Sequence, residues 1–236
     1  MKSRLLTLVA FSFLIPALSV FAADGGSVTG KITLAGKAPE AKKRPADTDA
    51  KCKAMHPDGV PIRNYIVGAD GGLANVFVYV KAGLEGKKFP PSTTAVTLDQ
   101  QGCLYNPMVF GIQVGQTLTI QNSDDTSHNV TLLATQNKPF NFGQPTKGMK
   151  NDVKFDKKEV LLKLKCDVHD WMSAYAGVVD HPFFAVTKED GSFSISGLPP
   201  GDYKIAAVHP KAGEQIVPVK VAAGEVKADF KPFAVK

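Results

Sequence analysis

The sequence predicts an all-β protein made of two small β-sandwiches. Short runs rich in Val, Ile, Thr and Phe alternate apolar and polar residues: SVTGKITL, NVFVYVK, GIQVGQTLTIQN, HNVTLLA, EVLLKLK, AYAGVV, GSFSIS, YKIAAV and IVPVKVA. That period of two is the mark of strands with one buried face. Gly, Pro, Asn and Asp fall between the runs and supply turns. Stretches with a helical period are scarce, which favours sandwiches over a mixed fold.

Taken in order, residues 1–22 carry Lys2 and Arg4 ahead of an apolar run, with Val20 and Ala22 at the minus-three and minus-one positions of a cleavage site. They are expected to be a cleaved secretory signal peptide, and the protein to be periplasmic. The apolar run 5–18 contains Pro16 and falls short of the roughly 20 residues a spanning helix needs. A retained anchor is the alternative; no later run is long enough to cross a bilayer. Removing 22 of the 236 residues leaves 214, enough for two domains of roughly 100 residues each. The segment 37–63 is rich in Lys, Pro, Ala and Asp with little periodicity, and is expected to be a long connection or partly ordered loop. Near the end, Gly197, Leu198, Pro199, Pro200 and Gly201 join two alternating runs through a tight connection, because Pro presets φ and Gly permits positive φ.

The net charge of +6 falls to +4 once Lys2 and Arg4 are removed, and its Lys and Arg residues are scattered rather than clustered with aromatics. Nucleic acid is therefore not expected as a partner, while an acidic protein remains open. No G-x-S-x-G elbow, P-loop, G-x-G-x-x-G or H-E-x-x-H is present, and no carboxylate pair shows a division into acid and base. An enzyme is not expected.

Three cysteines in an exported chain imply one bridge and one free thiol. Cys166 has His169 and Met172 beside it in KCDVHDWM, whereas Cys52 and Cys103 have no such company, so a Cys52–Cys103 disulfide is expected. It would close a loop of about 50 residues and contribute roughly 4 kcal/mol in the chain-entropy model. The competing reading makes Cys52 and His56, in KCKAMH, half of another metal site.

Thiolate and thioether favour Cu(I), imidazole suits both oxidation states, and two His with one Cys in a plane under a weak axial Met is the recurring electron-transfer solution. The sequence offers all four groups. His128 opens an alternating strand 38 positions before Cys166, and Cys166, His169 and Met172 share one loop between EVLLKLK and AYAGVV. His181 and His209, each before a proline, read as turn residues, and Met55, Met108 and Met149 as packing.

This C-x-x-H-x-x-M loop resembles that of the cupredoxins, with the short spacing of the amicyanins; VGQTLTIQNSDDTSHNV is similar to the cupredoxin turn and strand that lead to a His-Asn pair. NSDDTSHNV and KCDVHDWMSAYAGVVDHPFFAV also resemble a bacterial periplasmic group of methylamine-utilisation type. DGSFSISGLPPGDY resembles the carboxypeptidase regulatory-like domain, whose usual opening strands look like GSVTGKITL and ANVFVYV far upstream. The resemblances imply a cupredoxin-like Greek-key sandwich at 92–181, and an accessory sandwich split into 23–91 and 182–236, three consecutive modules being the alternative. They imply one type 1 copper held by His128, Cys166, His169 and axial Met172, with Asn129 tying the two ligand loops together. Asp170 stands where amicyanins have proline and is expected to favour a protonated His169; Trp171 is expected half-buried beside the site. His169 is expected to reach the surface as the electron port, toward a c-type cytochrome or a periplasmic dehydrogenase. Copper delivery and a metal-free binding module remain the other readings.

Overall fold

A computed structural model describes residues 25–236, so the expected leader lies outside the described residues. In chain order the elements are β1 (Gly26–Lys31), β2 (Lys43–Arg44), α1 (Ala50–Met55), β3 (Val60–Pro61), β4 (Phe77–Ala82), β5 (Val96–Gln100), β6 (Tyr105–Asn106), β7 (Val109–Gln113), β8 (Thr117–Asn122) and β9 (His128–Leu133). There follow β10 (Asn141–Gln144), β11 (Lys150–Lys154), β12 (Glu159–Lys165), β13 (Ser173–Val179), β14 (Phe184–Val186), β15 (Ser192–Leu198), β16 (Gly201–His209), β17 (Gly213–Val221) and β18 (Glu225–Lys227). The protein is all-β apart from α1 among the described residues.

The strands form two sandwiches. In the first, a sheet ordered β10-β9-β12-β13-β7 packs on one ordered β11-β8-β5-β6, around a core that includes Leu118, Ile120, Val130, Leu132, Leu162 and Leu164. In the second, β15-β1-β18 packs on β14-β4-β16-β17, around Val28, Val78, Phe193, Ile195, Ile205 and Val219. The second sandwich is thus assembled from both ends of the chain: β1 pairs with β15 and β18, and β4 with β14 and β16. The Pro199–Pro200 turn between β15 and β16 is held by the Tyr203 hydroxyl, which donates to the Pro199 carbonyl at 2.7 Å.

Alternation along the core strands decides where the site falls. In β9, His128, Val130 and Leu132 are the buried positions, so His128 is the first inward residue of a core strand. In β12, Leu162 and Leu164 point inward and Cys166 continues that phase just past the strand end; Met172 does the same ahead of Ala174 and Ala176 in β13. Three side chains therefore cap one end of the same apolar core.

The segment 37–63 is more ordered than its composition suggests. It contains the β2–β3 pair and the helix α1, started by Asp49, whose carboxylate accepts from the amides of Lys51 and Cys52 at 2.8 and 2.9 Å. Six residues are too few to display a helical period. So short a helix depends on its cap and tertiary contacts.

The two sandwiches meet through a flat patch. Gly111 of β7 and Gly177 of β13 lie opposite each other in the parallel pairing, and the rings of Phe184 and Phe77 rest on them. A Cβ at Gly177 would stand 2.4 Å from Phe77, and one at Gly111 2.3 Å from Phe184. Gly177→Ala is accordingly expected to destabilise the protein by about 1–3 kcal/mol through overpacking, read as a lower denaturant midpoint.

His209, at the end of β16, accepts on Nδ1 from the amides of Lys211 and Ala212 at 3.2 and 3.0 Å and stacks on Tyr65. Burial, aided by Lys211, depresses its pKa to about 4. Because the unfolded chain takes up the proton first, stability is full above the ordinary value near 6.5 and is lost as pH falls through about 4. The loss is about 3 kcal/mol at most. Thermal melts from pH 7 to pH 4 should show it, and His209→Asn, which keeps an acceptor at that place, should flatten the profile.

Candidate metal centre

His128, Cys166 and His169 come together at the capped end of the first core, with their ligand atoms all within 4.8 Å of one another. The Nδ1 atoms of His128 and His169 lie 3.0 Å apart, and the Cys166 sulfur is 3.8 Å from His169 Nδ1. Each residue has at most 3% of its surface exposed, which puts the cluster out of water. Met172 is fully buried in the same core; its amide donates to the His169 carbonyl at 3.0 Å and its carbonyl accepts from Cys166 N at 3.2 Å. These two bonds close the loop on itself.

Both imidazoles face inward through Nδ1 and outward through Nε2. His128 Nε2 is 2.9 Å from Asp124 Oδ2, and His169 Nε2 is 3.5 Å from Asp49 Oδ2. A proton held on each outer nitrogen leaves an Nδ1 lone pair for a cation, as in carboxylate-backed metal ligands. Asp124 also accepts from the amides of Gly102 and Cys103 at 2.7 and 2.8 Å, and Asp49 from the Thr126 hydroxyl at 2.6 Å.

Burial opposes charge on these groups, yet their mutual contacts prevail. For His128, burial lowers the pKa, but Asp124 and Cys166 raise it to about 9; for Cys166, burial raises it, but His128, His169 and amide donors bring it down to about 6. The sulfur is thus prepared as a thiolate, the form that binds metal. One thiolate, two imidazole nitrogens and a thioether buried in the same core are a donor set that suits copper of the electron-transfer kind.

Asn129 joins the two ligand segments. Its Oδ1 accepts from the Asp167 amide at 2.6 Å and from the Cys166 thiol at 3.2 Å, while Nδ2 donates to Asn141 at 2.9 Å and to Asp167 at 3.0 Å. Trp171 is partly buried, its ring 5.1 Å from that of His169 and its Nε1 donating to the Cys103 carbonyl at 2.9 Å.

Two expectations are corrected. His169 is 0% exposed rather than at the surface, because the segment bearing Asp49 and Cys52 lies over its outer edge; the Cys52 sulfur is 3.7 Å from Nε2. Asp170 does not turn to His169: it is exposed, with Oδ2 4.0 Å from Arg44 Nε. The carboxylate on His169 is Asp49, which has no sequence signal because it stands 120 residues away. Asp124 was missed too, although its place four residues before His128 is a readable hint.

Cys52 and Cys103 form a disulfide, their Cα atoms 5.7 Å apart. Neither then offers a thiolate, and His56 Nε2 is engaged by the Gly102 carbonyl at 2.8 Å, so the idea of a Cys52–His56 half-site falls. The bridge fastens the α1 segment over the centre.

No family model matches the chain, and no curated protein does. Among solved structures, it is similar to a Cu-containing nitrite reductase from Thermus scotoductus SA-01, at 22% identity over 41% of this chain and 24% of that one, TM-score 0.34. It is also similar to a Cu(I) form of an amicyanin mutant, at 21% over 36% and 81%, TM-score 0.32, and to a purple cupredoxin from Nitrosopumilus maritimus, at 23% over 35% and 98%, TM-score 0.30. The chain thus spans about a quarter of the nitrite reductase's length. Likeness at this level leaves the ligand set to be judged on the geometry of this chain.

Replacing both bridge cysteines, Cys52→Ser with Cys103→Ser, should cost about 4 kcal/mol of stability by the loop-entropy relation, for a bridge spanning 51 residues. Cys166 is the only free thiol. Its labelling by a thiol reagent in the native state should speed up about tenfold for every 1.4 kcal/mol removed from local opening.

Proposed function

We propose that this chain is a type 1 copper protein that passes single electrons between exported redox proteins. The observation that carries this reading is the buried triad of His128 Nδ1, His169 Nδ1 and Cys166 Sγ, with each imidazole backed by a carboxylate; Met172, buried in the same core, would be the fourth ligand. Copper bound there would supply reversible one-electron chemistry. His128 and His169 would keep their rings oriented through Asp124 and Asp49, and Asn129 would hold the Cys166 loop against β9 by accepting from the Asp167 amide. The near-complete burial of the cluster excludes water and anchors the ligands in one geometry, so that little need move when the charge changes.

The partners are a c-type cytochrome or a dehydrogenase of the periplasm, consistent with a leader at 1–22. Copper delivery is the competing reading. It calls for ready exchange, and a centre closed over by a disulfide-bonded segment opposes that.

Adding Cu(II) to the metal-free protein should give one equivalent of uptake, an intense thiolate-to-copper absorption band and reversible one-electron voltammetry. Cys166→Ser should abolish the band. A colourless or rapidly exchanging adduct would favour delivery, and absence of stoichiometric uptake would overturn metal binding altogether.

A further inference from the structure

We infer that electrons enter and leave through Trp171, at a basic cleft shaped to receive the carboxylate-rich face of a protein partner; this rests on the copper reading above. His169 has no surface of its own. Its ring is enclosed by His128, Trp171, the Cys52 sulfur and Asp49. His128 and the disulfide are buried as well, and Asp49 is a saturated anion. Trp171 alone combines a π system in contact with His169 and a face open to water. Electronic coupling falls steeply with distance, so a partner seated on Trp171 has the shortest aromatic path to the centre.

The cleft beside Trp171 has a volume of about 270 Å³ and is lined by Arg44, Arg63, Lys163, Lys211 and Tyr175, with Asp170 the one carboxylate. Arg44 faces Asp170. Among the described residues, Arg63, Lys163 and Lys211 have no carboxylate within ion-pair distance; Arg63 donates instead to the Tyr105 carbonyl and Asn106. Three uncompensated cations beside an aromatic ring make a field that steers an acidic surface onto it. They come from three places: the segment before β4, strand β12, and the β16–β17 turn of the second sandwich. Cations presented by separate elements suit several carboxylates on one protein face rather than a single small anion.

Trp171 is the only tryptophan, so its fluorescence reports the cleft without copper. In the metal-free protein, with each ion scaled to its quenching of free N-acetyltryptophanamide, iodide should quench it at least about threefold more efficiently than caesium, because a positive potential concentrates anions locally. Lys163→Glu with Lys211→Glu should reverse that order. Hexaglutamate should protect Trp171 from iodide at a concentration at least about tenfold below that needed with glutarate, through its multiple charges. In the copper-loaded protein, ferricyanide takes one electron from the Cu(I) form and becomes ferrocyanide, with no bond made or broken. Its rate should fall about tenfold in the double variant, as expected for lost steering, while a cationic cobalt(III) tris-phenanthroline oxidant does not slow and the absorption band is unchanged. Equal quenching by the two ions, or ferricyanide rates indifferent to the charge reversal, would overturn the docking face. Glutarate as effective as hexaglutamate would overturn the protein partner in favour of a small anion. Failure of copper uptake would strike only the reading beneath, since the quenching result does not involve metal.

Discussion

The centre depends on one buried carboxylate, Asp124. It accepts from the amides of Gly102 and Cys103 and from His128 Nε2, and so ties the disulfide-bearing loop to the first inward residue of β9. A carboxylate out of water is stable only when its lone pairs are met. Once they are, each donor is held where Asp124 requires it. Removing one partner from such a buried charged pair costs about 3–5 kcal/mol, because the survivor stays desolvated. The same bond fixes which nitrogen of His128 faces Cys166, so packing and ligand chemistry have a common origin.

Around that anchor the site is closed from the outside. Asp49 performs three tasks at once: it starts α1, accepts from Thr126, and stands against His169 Nε2. The disulfide then pins α1 to the loop that Asp124 holds. A cover made this way shields the centre from water and small reagents, and removes His169 as a point of contact. The position of Trp171, half in the core and half at a basic cleft, answers the problem that the cover creates.

What could be read from the sequence was local. Strand alternation located the core, and the inward phase of β9, β12 and β13 explains why His128, Cys166 and Met172 converge. The disulfide was legible from the company each cysteine keeps. What escaped was carried by long-range contacts between segments without a period. Asp49 meets His169 across 120 residues, and α1 is less than two turns long, too brief to leave a pattern. Asp170 misled for the complementary reason: adjacency in sequence to His169 says nothing about direction, and on this loop the side chain turns outward to Arg44.

The second sandwich takes its meaning from the same geometry. It is built from strands before and after the first one, so the chain crosses between the two bodies twice. Phe77 and Phe184 seat against Gly111 and Gly177, where any side chain would collide. Two connections and a patch without Cβ atoms restrict how the bodies can turn against each other. That restriction is what allows Lys211, on the second sandwich, to line a cleft with Trp171 and Lys163 on the first. A tethered domain free to swing would contribute its charge to the cleft only part of the time; one seated on a glycine pair contributes it continuously.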